Sequence, residues 1–124
     1  MIRFSIDDES PLPAYQQIKR TILLNIMSGR LTLGDRLPSI RDMAKMLKLN
    51  PNTVAKSYYK LEADGFILGR RGSGYVIKYQ KPKIDNLKKG ILEDEFKSFL
   101  ANAFAMGFTK EDIKDLTEKL LENQ

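Results

Sequence analysis

Asn50, Asn52, Thr53 and Lys56 place two amides, a hydroxyl and an ammonium within seven residues. Short polar side chains with a cation, set at the start of a helix, can reach donors and acceptors on base edges in the major groove of a duplex. Taken alone, Asn50-Pro51-Asn52-Thr53 reads more simply as a good helix start. Asn50 would be the cap, and Pro51 would sit where a missing N–H costs nothing. Two neighbouring features tip the balance towards nucleic acid, the helix-turn-helix pattern before this segment and the basic hairpin after it. Arg41 stands in the first turn of a preceding helix, where a guanidinium can grip a phosphate or a guanine edge, or else pair with Asp42 or Asp35. Arg70 and Arg71 precede Gly72-Ser73-Gly74. Arginine beside such a bend suits a narrow minor groove, and glycine lets the backbone approach a phosphate.

Other chemistries are poorly served. The 124 residues contain no Cys and no His. That removes thiol redox chemistry, Cys/His zinc sites, Ser-His-Asp triads and Cys-His dyads together. Gly72-Ser73-Gly74 is not a nucleotide loop, because a strand rather than a helix follows it and no Walker lysine is present. No cofactor and no metal site is expected, and an enzyme is the least favoured class.

The elements that must position these groups follow from periodicity and capping. Ser10 is expected to cap a first helix with Pro11 at its first position, and Tyr15, Ile18, Ile22, Leu23 and Ile26 give it an apolar face up to a stop at Gly29. Leu31 to Leu37 connects onward, turning at Gly34-Asp35. Ser39 opens a second helix with Ile40, Met43, Ala44 and Leu47 on its buried stripe. Lys48-Leu49 leaves room only for a turn before the helix that Asn50 caps. Gly65 ends that helix, and Phe66–Arg70 and Tyr75–Lys78 read as two strands. Helix, turn, helix and basic hairpin together suit a module that lays one helix in the major groove with a β-wing beside it.

A polar linker is expected at residues 80–83, separating a DNA-binding domain (1–79) from a helical tail (84–124). Residues 1–80 hold 13 Lys/Arg against 7 Asp/Glu, whereas residues 81–124 hold 8 Lys against 9 Asp/Glu. The net charge of +5 thus belongs to the first part, which is where an anionic partner would be met. The tail shows two helical patterns divided at Gly107, the second capped by Thr109 with Asp112 at the reciprocal position. Leu92, Phe96, Phe99, Leu100 and Phe104 from the first, with Ile113, Leu116 and Leu120 from the second, form an apolar surface. Burial against the same tail of a second chain is the favoured use, since palindromic sites are read by two-fold dimers. Packing within one chain and a ligand pocket are the alternatives. The Glu93-Asp94-Glu95 cluster reads as a solvated face.

The ordered set Pro13-Ala14-Tyr15-Gln16-Gln17-Ile18, Gly34-Asp35-Arg36-Leu37-Pro38-Ser39-Ile40-Arg41, Asn50-Pro51-Asn52-Thr53-Val54, Leu61-Glu62-Ala63-Asp64-Gly65-Phe66 and Arg71-Gly72-Ser73-Gly74 resembles the winged helix-turn-helix domain of GntR-family transcription regulators. The short tail is similar to the YtrA-type branch, whose members are small homodimeric regulators, commonly repressors. The resemblance implies DNA contacts at Arg41, Asn50, Asn52, Thr53 and the wing around Arg71-Gly72. Many family members carry an Arg where this chain has Ala55, which leaves Lys56 as the substitute cation.

The expected fold is therefore mostly α with a small β-wing, a winged helix-turn-helix domain followed by a two-helix dimerisation appendage. The expected partners are double-stranded DNA with a palindromic operator and a second copy of the chain, with an effector ligand left open. The N-terminal stretch lacks the apolar core of a signal peptide, and no run approaches the roughly 20 apolar residues of a membrane span, so a cytoplasmic location is expected. A protein-interaction adaptor, docking through the same winged helix and Phe-rich tail, is the competing class.

Overall fold

The computed structural model describes residues 2–72 and 74–124. The elements run α1 (Ala14–Met27), α2 (Ile40–Leu47), α3 (Pro51–Ala63), β1 (Ile67–Arg70), β2 (Gly74–Ile77), α4 (Lys81–Ala105) and α5 (Lys110–Glu122). The fold is mostly helical with one small antiparallel sheet, as expected. Ser73, placed from the sequence at the hairpin bend, lies outside the described residues. The chain forms two compact units, one ending at Asp85 and the other spanning Asn86–Gln124.

In the first unit, three helices close on one core. Ile18, Ile22 and Ile26 come from α1, Met43 and Ala44 from α2, and Val54, Tyr58 and Leu61 from α3. Burying an aliphatic side chain contributes about 1.5–3 kcal/mol. This core, not intrinsic propensity, holds α2, whose 8 residues are too few for a stable isolated helix. The Ser39 hydroxyl caps α2 by accepting from the Asp42 N–H at 3.1 Å. Lys48 ends it in the left-handed region (φ 56°), which turns the chain directly into α3. The Tyr58 hydroxyl donates to the Pro38 carbonyl at 2.6 Å and so ties α3 to the entrance of α2.

α1 starts later than Ser10 and Pro11 imply. Its first residue is Ala14, with Pro13 as N-cap. Leu12 precedes a proline, whose ring disfavours helical conformation there. The segment before it is instead pinned by Gln17. The Gln17 side chain donates to the carbonyls of Asp7 (3.0 Å) and Leu12 (2.8 Å) and accepts from the Asp7 N–H (2.9 Å).

β1 and β2 pair in the register Ile67↔Ile77, Leu68↔Val76, Gly69↔Tyr75, Arg70↔Gly74. The other edge of β2 meets residues 34–37. Leu37 donates to the Tyr75 carbonyl, Ile77 to that of Asp35 and Gly34 to that of Ile77, with a bridge at Arg36↔Val76. The connection before α2 is thus a third, one-residue ribbon fastened to the hairpin. On the outer edge of β1 the Glu62 carboxylate accepts from the Gly69 N–H at 2.7 Å. Glycine eases that approach, because a Cβ at position 69 would come within 3.2 Å of the carboxylate and 3.3 Å of the Tyr75 ring, and both would have to give by a few tenths of an ångström.

The linker expected at 80–83 is helical from Lys81 onward, and the two compact units divide farther on, after Asp85. Pro82 lies in the first turn of α4, where no backbone donor is needed, so the proline that resembled a linker is a helix starter. Lys83 and Ile84 both donate to the Gln80 carbonyl, and Ile84 is buried.

In the second unit, Gly107 (φ 94°) turns the chain from α4 into α5. Thr109 and Asp112 form the full capping box: the Thr109 hydroxyl accepts from the Asp112 N–H, and the Asp112 carboxylate from the Thr109 N–H. Ala103 of α4 and Ile113 of α5 are buried.

Candidate nucleic-acid interface

α3 is divided into two faces. Val54, Ser57, Tyr58 and Leu61 are buried, while Asn52, Lys56, Tyr59 and Lys60 are exposed and Thr53 is half-buried. Asn52, Lys56, Tyr59 and Lys60, with Ala55 and Ala63 between them, line a shallow groove of about 420 Å³ along the outer side of the helix. Asn50 caps the helix with its side-chain oxygen, which accepts from the Asn52 N–H at 2.8 Å. Its amide nitrogen alone is left to donate outward.

Arg41 is exposed in the first turn of α2. Among the described residues the ion pairs are Lys19–Asp64 and Lys81–Asp85, so Arg41 pairs with neither Asp42 nor Asp35. The Asp35 carboxylate is occupied by the Thr32 N–H (2.8 Å) and hydroxyl (3.2 Å). Arg70 closes β1, and Arg71 and Gly72 begin the bend; all three are exposed. Gly72 has φ 79°, a left-handed conformation that glycine adopts without strain. Among the described residues neither arginine has a carboxylate partner. The unit thus carries unpaired cations and amides on the start of α2, the open face of α3 and the hairpin tip.

One participant was not visible from the sequence. Tyr15 there belongs to the apolar face of α1 and to the Pro13–Ile18 motif, with no part in DNA contact. In the fold its ring lies under two lysines of α3, with Lys56 Nζ 3.9 Å and Lys60 Nζ 5.1 Å from the ring centre. The Tyr15 carbonyl accepts from the Ser57 hydroxyl at 2.6 Å, and its own hydroxyl accepts from the Gln16 amide at 3.1 Å. The Gln16 hydrogen bond draws the Tyr15 hydroxyl below its ordinary pKa; slight desolvation opposes this, and the charges of Lys56 and Lys60 add to it. Tyr58 behaves oppositely. Burial, with Tyr75 beside it, pushes its hydroxyl well above the ordinary range, so it stays a donor to Pro38. The Lys56/Lys60 spacing of one turn hinted at a cationic ledge, but its aromatic floor depends on how α1 packs on α3.

The second unit exposes large apolar side chains among its charges. Leu92 is 68% exposed, Phe96 47%, Phe104 44% and Leu120 53%. Phe99 and Leu116 are similarly open, while Leu100 is half-buried and Ile113 is buried. Phe96, Leu100, Phe104 and Ile113 line an apolar groove of about 510 Å³ between α4 and α5. No helix among the described residues is long and apolar enough to cross a membrane.

Known proteins share this arrangement. The family model described as bacterial regulatory proteins, gntR family, matches residues 14–77, the span from α1 to the end of β2. The HTH-type transcriptional regulator YhcF of Bacillus subtilis is 35% identical over 114 residues, covering 89% of this chain and 94% of its own length. The HTH-type transcriptional repressor YtrA of the same organism is 31% identical over 116 residues, covering 93% and 89%. The crystal structure of a transcriptional regulator from Oenococcus oeni superposes with a TM-score of 0.82 at 30% identity, over 94% of this chain and 97% of that one. These relatives are regulators of transcription and not enzymes, and the chain, with its winged helix-turn-helix and two further helices, belongs with them to the GntR family of DNA-binding transcription regulators.

Proposed function

We propose that the chain works as a homodimer on a palindromic operator and represses transcription by occluding polymerase. The observation that carries the DNA half is the division of α3 into a buried face and an open polar face. In this reading Asn52, Thr53 and Lys56 address base edges, and Asn50 adds amide donors at the tip. Arg41 grips the backbone or a guanine, and Arg70, Arg71 and Gly72 bring the wing to the minor groove. Phosphate neutralisation by the basic first unit supplies affinity. Residues 1–79 thus form the DNA-binding part and residues 84–124 the dimerisation part. The Phe-rich surface of the second unit supports the dimer, because contiguous exposed apolar area of this kind marks an association site. Two α3 helices would then enter successive major grooves about 34 Å apart. The repressor reading follows the name of the YtrA relative, and a cytoplasmic location follows from the work proposed.

Selection of bound duplexes from a random library, using the full chain, tests this directly. Enrichment of an inverted repeat is expected. Enrichment of a single unrepeated half-site would overturn the dimeric reading, and no enrichment at all would overturn the operator reading.

A further inference from the structure

We infer that Tyr15 is a positioning residue for DNA recognition: its ring, carried on α1, clamps Lys56 and Lys60 of α3 and fixes where their charges meet the duplex. Four observations converge on this. Both ammonium groups lie over one ring, at 3.9 and 5.1 Å from its centre. The main chain that carries the ring is fixed to α3, since the Tyr15 carbonyl takes the hydroxyl of Ser57, a side chain with no exposed surface on the inner face of α3. The ring is also held at its tip, where the Gln16 amide donates to the hydroxyl. Lys56, finally, lines the open groove of α3 together with Asn52.

The physical consequence is preorganisation. A free lysine wanders through many rotamers, and ordering it on binding costs entropy. Two lysines one turn apart also repel each other. The negative face of an aromatic ring attracts both ammonium groups and offsets that repulsion. An ammonium has three donors, so contact with the ring on one side leaves N–H groups for a base edge or a phosphate on the other. α1 thereby contributes to recognition without itself entering a groove. The inference rests on the reading of Lys56 as a DNA contact.

The test combines a double-mutant cycle with a measurement that needs no DNA. Tyr15→Leu keeps apolar bulk and removes the ring, whereas Tyr15→Phe keeps the ring and removes only the hydroxyl. Binding is measured on a random-sequence duplex at low salt. Tyr15→Leu is expected to weaken binding about five-fold, and Tyr15→Phe, which keeps the ring and loses only the tie to Gln16, to weaken it clearly less. In a Lys56→Met/Lys60→Met background, Tyr15→Leu is expected to have no further effect. An equal loss in that background would mean that Tyr15 touches DNA itself, and it would overturn the inference. A loss with Tyr15→Phe as large as with Tyr15→Leu would do the same. In the free protein, the NMR signals of the Lys56 ε-methylene are expected upfield, shielded by the ring, in the parent and in Tyr15→Phe, and at ordinary positions in Tyr15→Leu. Unshielded Lys56 signals in the parent would remove the clamp whatever the DNA result. Shielded signals in a parent that binds no duplex would instead locate the failure in the DNA reading.

Discussion

Arg41 and Thr53 stand near the starts of successive helices, and neither contributes to the buried core. Replacing either by alanine is therefore expected to leave thermal unfolding nearly unchanged. In the proposed role each substitution weakens specific binding by about 1–3 kcal/mol, a factor of about 5 to 150. Gel shifts on a selected operator read this, and unchanged affinity in both variants would sink the assignment of these contacts. Lys56→Ala tests a different quantity. If its ammonium neutralises a phosphate, the slope of log affinity against log salt shrinks by about 1; an unchanged slope with altered base preference places it on a base edge. The residue types at these positions were legible in the sequence because polar groups on a helix start are a local feature. Tyr15 was not, since an aromatic on the apolar face of α1 looks the same whether it fills a core or underlies two lysines.

At the level of elements, the caps carried most of the readable information. Ser39, Asn50 with Pro51, and Thr109 with Asp112 each satisfy donors a few residues away, and all three act where the sequence placed them. The prolines misled in both directions. Pro11 looked like a helix start, but Pro13 disfavours helix at Leu12 and α1 begins at Ala14; Pro82 looked like a linker, but it lies in the first turn of α4. The same residue type breaks a helix or begins one, and the surrounding fold decides which. The turn between α2 and α3 carries a cost of its own, because Lys48 adopts a left-handed conformation that disfavours any side chain. Lys48→Gly is expected to raise stability by about 0.5–1 kcal/mol, the relief of that strain less the extra freedom of glycine in the unfolded chain; a fall in melting temperature would contradict it. Tyr58→Phe acts on the joint between α3 and α2. It leaves the Pro38 carbonyl without its donor and is expected to lower stability by about 1–2 kcal/mol in denaturant unfolding.

Across the whole molecule, the net positive charge lies in the first unit and the Phe-rich surface in the second, and the consequence of that surface is concentration dependence. If the Phe-rich surface joins two chains, the melting temperature rises with protein concentration, since association stabilises the folded state by mass action. Phe96→Asp combined with Leu116→Asp is expected to yield monomers in sedimentation and a melting temperature indifferent to concentration. A parent that sediments as a monomer at all concentrations would rule out the dimer. The small sheet raises a separate matter, that of unwanted assembly. β2 is bonded along both edges, whereas β1 has an outer edge facing away from its partner. An open strand edge is a template on which other chains add, and native proteins protect such edges. Here the Glu62 carboxylate occupies the Gly69 N–H on that edge and sets a negative charge where an incoming strand would dock. The guard comes from α3 rather than from the hairpin itself, so Glu62→Ala is expected to raise the tendency of the chain to aggregate through β1, read by light scattering on warming; unchanged scattering would contradict it.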